Sequence, residues 1–153
     1  MLEIGSPAPD FDLPTDGDGQ LSTADLEGQA YVLYFYPKDD TPGCTKEAIA
    51  FQENSEAFAA AGVRIIGVSK DPVKKHDKFK VKYDFHFTLV SDEDSDLCER
   101  YGVWVEKSMY GKTYMGIERA TYLVDAQGLI QQIWRKVKVP GHVDAVLEAA
   151  EAL

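Results

Sequence analysis

The chain has 153 residues, the length of one ordinary domain, and a chain of this size buries roughly 70 % of the surface that its unfolded form exposes. Hydrophobic residues at 44 % and charged residues at 27 % exclude a disordered or fibrous chain. Lys plus Arg number 16 against 26 Asp plus Glu, and the resulting formal charge of −10 opposes nucleic acid and anionic membrane as partners.

No apolar run approaches the roughly 18 residues that span a membrane. Met1 to Pro7 has no basic region followed by an apolar stretch, so it does not read as a secretory signal. Two cysteines are too few for a disulfide scaffold, and a cytoplasmic protein with free or redox-active thiols is expected.

Along the chain, Asp16-Gly17-Asp18-Gly19 is turn chemistry between Phe11-Asp12-Leu13 and Gln20-Leu21-Ser22 and predicts a small N-terminal hairpin. Tyr31 to Tyr36 is a continuous run rich in aromatic and β-branched residues, the pattern of a buried central strand ended by Pro37. A helix is expected from Pro42 to about Ala61, closed by Gly62. Val63 to Ser69 reads as a second buried strand, and Asp71-Pro72 opens a helix to about Tyr83.

Phe87 to Val90 reads as a third strand. Asp94 or Ser95 is expected to cap a short helix ending at Gly102, with Leu97, Cys98 and Tyr101 on its apolar side. Thr121 to Val124 and Leu129 to Ile133 form a hairpin through Asp125-Ala126-Gln127-Gly128, and a last helix carries Val143, Val146, Leu147, Ala150 and Leu153 on one stripe. With no repeat or linker in view, residues 1–153 read as a single domain. This order predicts an α/β fold: a central mixed β-sheet flanked by helices, parallel early and antiparallel at the late hairpin.

The stretch Tyr36-Pro37-Lys38-Asp39-Asp40-Thr41-Pro42-Gly43-Cys44-Thr45-Lys46-Glu47 lies between a buried strand and a helix start. Ligands of open α/β sheets bind at such carboxyl strand ends. Pro42 suits the first helical position, which places Cys44 in the first turn. There free N–H groups and the positive dipole end stabilise a thiolate. Cys44, Ala48, Phe51, Ser55 and Phe58 share a stripe, so the sulfur faces the body of the domain at the bottom of a pocket. The plain alternative is a small buried hydrophobe; the helix start, the preceding Thr and Pro and the strand end favour reactivity.

Pro37-x-x-x-Thr41-x-x-Cys44 resembles the active-site signature of the peroxiredoxins. Thr41-Pro42-Gly43-Cys44-Thr45-x-Glu47 is similar to that of the peroxiredoxin Q, or bacterioferritin comigratory protein, subfamily. The likeness extends through Gly5-x-x-Ala8-Pro9-Asp10-Phe11-x-Leu13, Leu89-Val90-Ser91-Asp92, Tyr101-Gly102-Val103-Trp104 and Arg119-Ala120-Thr121-Tyr122-Leu123-Val124-Asp125.

The resemblance implies a thioredoxin-like fold and thiol-dependent reduction of hydrogen peroxide and organic hydroperoxides through a sulfenic acid on Cys44. It makes the Thr41 hydroxyl and the backbone N–H groups near Gly43 and Cys44 donors to the peroxide. It also makes Arg119 the charge that stabilises the thiolate and holds the substrate, and Pro37 a cover over the sulfur. Without the resemblance, Arg119 would read as an exposed strand-end charge.

Many members of the subfamily resolve the sulfenic acid with a cysteine five residues on, which here is Ile49, or with one in the next long helix, where Asp71 to Tyr83 holds none. Cys98 remains, either as a core cysteine or as the resolving partner. A one-cysteine cycle is favoured, with a thioredoxin-type protein or a small thiol as reductant and a monomer expected.

Other signals fail. Gly111-Lys112-Thr113 lacks the upstream glycine of a phosphate loop, and Asp92 to Asp96 lacks the glycine and final glutamate of a calcium loop. His76, His86 and His142 are too scattered for a metal, and no cofactor is expected. The lysines of Lys74 to Lys82 read as a solvated helix face. A disulfide exchanger is disfavoured by the absent C-x-x-C, and a peroxide sensor that passes its oxidation to a partner is the alternative outside enzymes.

Overall fold

The computed structural model describes residues 1–153. In chain order it forms β1 (Asp12–Thr15), β2 (Gly19–Ser22), β3 (Ala30–Phe35), α1 (Pro42–Glu53), α2 (Ser55–Ala60), β4 (Val63–Ser69), α3 (Val73–Tyr83) and β5 (Thr88–Ser91). There follow α4 (Leu97–Arg100), β6 (Trp104–Met109), β7 (Lys112–Ile117), β8 (Ala120–Val124), β9 (Ile130–Trp134) and α5 (His142–Glu151). Seven strands make one mixed sheet in the order β2-β1-β5-β4-β3-β8-β9. β3, β4 and β5 run parallel, while β8 and β9 are antiparallel. No helix is long and apolar enough to cross a membrane.

Successive residues of a strand point to opposite faces, and β3 divides the core accordingly. Tyr31, Leu33 and Phe35 pack with Leu97, Cys98 and Tyr101 on one face. Val32, Tyr34 and the following Tyr36 pack with Cys44, Ala48, Phe51, Phe58, Phe79, Val143 and Val146 on the other. Each such fully buried apolar side chain stabilises the fold by about 1.5–3 kcal/mol relative to exposure. The two cysteines therefore lie in different core layers, with the sheet between them.

Four local expectations change. The long helix after Pro42 is broken at Asn54, whose side-chain N–H donates to the Ala50 carbonyl at 2.8 Å. That side chain competes with the backbone for the carbonyl one turn back, and α2 restarts after it. The short helix is capped neither by Asp94 nor by Ser95. Asp96 is its first flanking residue, and the buried Asp92 carboxylate takes the Leu97 and Cys98 N–H groups at 3.1 and 2.8 Å. Leu153 lies beyond α5 and is exposed. The ribbon β6–β7, not expected from the sequence, turns at Tyr110-Gly111. Both residues have positive φ, as a two-residue hairpin turn of this hand requires.

Candidate active site

Antiparallel pairing sets Phe35 opposite Ala120, so the end of β3 meets the start of β8. Arg119, just ahead of β8, thus comes to the place where the chain leaves β3 for α1. Pro42 is the first residue of α1, Gly43 the second and Cys44 the third. Cys44 is buried. Arg119 Nη2 donates to its Sγ at 3.5 Å, and Nη1 donates to Glu47 Oε1 at 2.7 Å. Cys44 and Glu47, three apart, share a helix face, and one guanidinium fork binds both. Such planar two-point recognition is what arginine offers and lysine does not. Gly43 makes the approach possible, because a Cβ there would stand 3.2 Å from Arg119 Nη2.

Thr41 flanks the helix but does not cap it. Its hydroxyl donates instead to the Lys38 carbonyl at 2.8 Å. A carbonyl only accepts, so the hydroxyl proton is engaged there. What the Thr41 oxygen has left to offer a ligand is then its lone pairs rather than its proton. The same turn of the side chain leaves the N–H groups of Gly43 and Cys44 without a protein acceptor, since the first backbone bond of the helix is Thr45 N–H to Thr41 O. These two donors, with the positive end of the helix, point where negative charge can be held. Pro37 is a half-buried bend between Tyr36 and this loop.

Glu47 is fully buried. Burial pushes its carboxyl up to about 7, against the pull of Arg119. Its Oε2 has no hydrogen-bond partner and stands 4.0 Å from His142 Nε2. That nitrogen is bonded to Thr121 Oγ1 at 2.7 Å. Burial, aided by the Arg119 charge, pushes His142 down to about 4, so its ring is neutral near pH 7. Arg119 is held firmly protonated: the Glu47 and Cys44 partners outweigh the effect of its own burial. The Lys107 ammonium of β6 is held below its usual range by burial and by the Arg119 charge, against the pull of Cys44.

The fold thus gathers Thr41, Gly43, Cys44 and Arg119. Glu47, His142 and Thr121 join them without having been singled out as site residues in the sequence. For Glu47 the signal was its place three residues after Cys44; for the other two, distant in sequence, there was none.

Cys98 lies in the other core layer, fully buried. Burial, and then the Asp92 charge beside it, push its thiol well above the ordinary range. A thiol that stays protonated is neither nucleophile nor ligand. No three His, Cys, Asp or Glu side chains converge as metal ligands would.

Residues 4–133 match the model of the AhpC/TSA family. The chain is 54 % identical over 146 residues, 95 % of its length and 97 % of the relative's, to a putative peroxiredoxin bcp of Coxiella burnetii. It superposes on PrxQ of Xylella fastidiosa, solved as a cysteine mutant, with a TM-score of 0.94 at 40 % identity, covering 99 % of this chain and 97 % of that one. A bacterioferritin comigratory protein of Xanthomonas campestris, solved in work on its alkyl peroxide reduction activity, matches with a TM-score of 0.90 at 47 % identity, over 99 % and 97 % of the two chains.

Proposed function

This chain belongs to the AhpC/TSA family, as a peroxiredoxin of the Bcp/Q group and hence a thiol-dependent peroxidase, and we propose how its own residues carry out that reaction. Cys44 is the attacking thiolate. Its sulfur forms a bond to one peroxide oxygen as the O–O bond breaks. The departing oxygen leaves with the electron pair and takes a proton from solvent to become water or an alcohol. Charge grows on that oxygen during the step, and donors already in place where it grows supply the largest acceleration. The free N–H groups of Gly43 and Cys44 and the Arg119 guanidinium are such donors. Thr41 accepts the peroxide's own O–H, and Pro37 limits access of water.

Cys44 is left as a sulfenic acid. We assign its return to an external thiol: that thiol's sulfur bonds to Cys44 Sγ, and the sulfenic oxygen leaves as water with the thiol proton. A second thiol then releases Cys44 and carries away the disulfide. Three features support this one-cysteine cycle. Ile49 stands five residues after Cys44, α3 carries no cysteine, and Cys98 is protonated and lies across the sheet. The reductant is a thioredoxin-type protein or a small thiol, which fits a reducing compartment such as the cytoplasm. The reacting groups lie in one sheet-and-helix unit, which supports residues 1–153 as a single domain, and we assign it to act as a monomer. The substrates are hydrogen peroxide and, as for the Xanthomonas relative, alkyl hydroperoxides.

The observation that carries the reading is the Arg119 fork on Cys44 Sγ at an uncapped helix start. With a dithiol present, the protein should consume many equivalents of peroxide, and Cys44→Ser should consume none while keeping its circular dichroism spectrum. Turnover retained in the variant refutes Cys44; an uptake of one equivalent by the native protein indicates a sensor.

A further inference from the structure

The loop between Pro37 and Pro42 carries two adjacent acids, and each is tied to a different end of α3. Asp39 is buried. Its Oδ2 lies 2.6 Å from His76 Nδ1, its Oδ1 accepts from the Tyr36 hydroxyl at 2.5 Å, and its N–H donates to Asp71 Oδ2 at 2.9 Å. His76, in the first half of α3, is also fully buried, and its Nε2 lies 2.9 Å from the Val90 carbonyl oxygen. That oxygen only accepts, so Nε2 carries a hydrogen. An ionised Asp39 only accepts as well, so Nδ1 carries another. The ring is then an imidazolium facing two acids, Asp39 and Asp71. Their attraction and hydrogen bonding hold its proton against the opposing effect of burial.

Asp40 has φ of 58°, a left-handed conformation in which a residue with a side chain is strained. Its carboxylate accepts from Lys82 Nζ and from the Tyr83 hydroxyl, both at 2.8 Å, at the far end of α3. One residue on, Thr41 is bound to Lys38.

We propose that the Asp39–His76 pair is a latch: both are positioning residues that fasten the Pro37–Thr41 loop to α3 and keep the first turn of α1 closed around Cys44. Filling this space with an apolar pair would avoid removing two charges from water. What the ion pair adds is direction. It fixes the Asp39 backbone, and through it the Thr41 oxygen and the Gly43 and Cys44 N–H groups, to hydrogen-bond geometry. The inference rests on Cys44 being the reacting thiol and deepens the proposed function, because it names what holds the donors around that thiol.

The test compares Asp39→Ala, Asp39→Asn and His76→Gln in a Cys98→Ser background, so that alkylation reports Cys44 alone. Three quantities are read on folded protein: kcat/KM for peroxide, the rate of Cys44 alkylation by a bulky maleimide, and amide exchange at Gly43 to Thr45. In Asp39→Ala, kcat/KM falls by about ten- to a hundredfold, as displaced reacting groups do, while alkylation and exchange become faster. Asp39→Asn can still accept from Tyr36 and can donate to a neutral His76, and stays within a few-fold of the parent.

A merely structural pair would lower the melting temperature and leave these rates unchanged, or move them all in the same direction; either result overturns the latch. Should Asp39→Ala not fold, His76→Gln must show the same opposed changes, and failure to do so overturns the latch as well. A parent protein without peroxide turnover would strike the proposed function instead, and alkylation and exchange would still decide the latch.

Discussion

Replacing Glu47 with Gln isolates the least comfortable charge of the active site. Glu47 has no exposure, binds Arg119 through one oxygen and leaves the other unpartnered. Its carboxyl is raised from 4.5 to about 7. A carboxyl raised in the folded state is one whose protonated form the fold prefers. The stability it contributes is complete below pH 4.5 and is lost as pH climbs through that interval to about 7. At about 1.4 kcal/mol per pH unit, the loss is at most about 3 kcal/mol.

Gln reproduces the protonated form and cannot ionise. Glu47→Gln should therefore match the parent at pH 4.5 and exceed it progressively up to pH 8, by as much as about 3 kcal/mol. Arg119 stays charged throughout, and His142 is neutral above about 4 in both proteins, so neither alters the comparison. Urea unfolding at four or five pH values across this range provides the check. Parallel stability profiles would show that Glu47 is already ionised at pH 4.5 and that the account of its burial is wrong.

Arg119→Ala removes the guanidinium from both Cys44 and Glu47 and should lower kcat/KM for peroxide by about two to three powers of ten, the usual loss for one oxyanion donor. Arg119→Lys should recover only part of it, since a single ammonium cannot reach both partners in the fork geometry; full recovery in steady-state kinetics would contradict the two-point role. Gly43→Ala introduces a Cβ 3.2 Å from Arg119 Nη2. It should reduce peroxide reactivity several-fold without loss of melting temperature, because Ala favours a helix by roughly 0.8–1 kcal/mol over Gly; an unchanged rate would mean that the guanidinium tolerates displacement.

The parts of the fold that the sequence made legible are those with a strong local signature. The buried run at Tyr31 to Tyr36, the Pro42 start of α1, the Gly128 turn and the strand Val63–Ser69 all announce themselves through periodicity or through Pro and Gly chemistry. Asn54 does not, because its break depends on one side-chain bond to Ala50. The cap of α4 escaped for a similar reason: Asp92 reaches it from five and six residues back, outside any capping pattern. The ribbon β6–β7 is largely exposed, so it lacks the apolar alternation that marks a strand.

At the site, Cys44 and its helix start could be read locally, whereas the place of Arg119 needed the resemblance. The Thr41 hydroxyl could not be oriented before the Lys38 carbonyl was seen beside it. His76 and His142 looked scattered, and in the fold each is buried beside an acidic residue: His76 in direct contact with Asp39, and His142 at 4.0 Å from Glu47.

In the proposed cycle Cys44 alone is oxidised and an outside thiol restores it. Native protein and Cys98→Ser should each be treated with one equivalent of peroxide, trapped with a sulfenic-acid reagent and analysed by intact mass and peptide mapping. Both proteins should carry the trapped adduct on Cys44, no Cys44–Cys98 disulfide should form in the native protein, and the two should turn over peroxide equally with a small dithiol. An internal disulfide in the native protein, together with lost turnover in Cys98→Ser, would contradict that cycle.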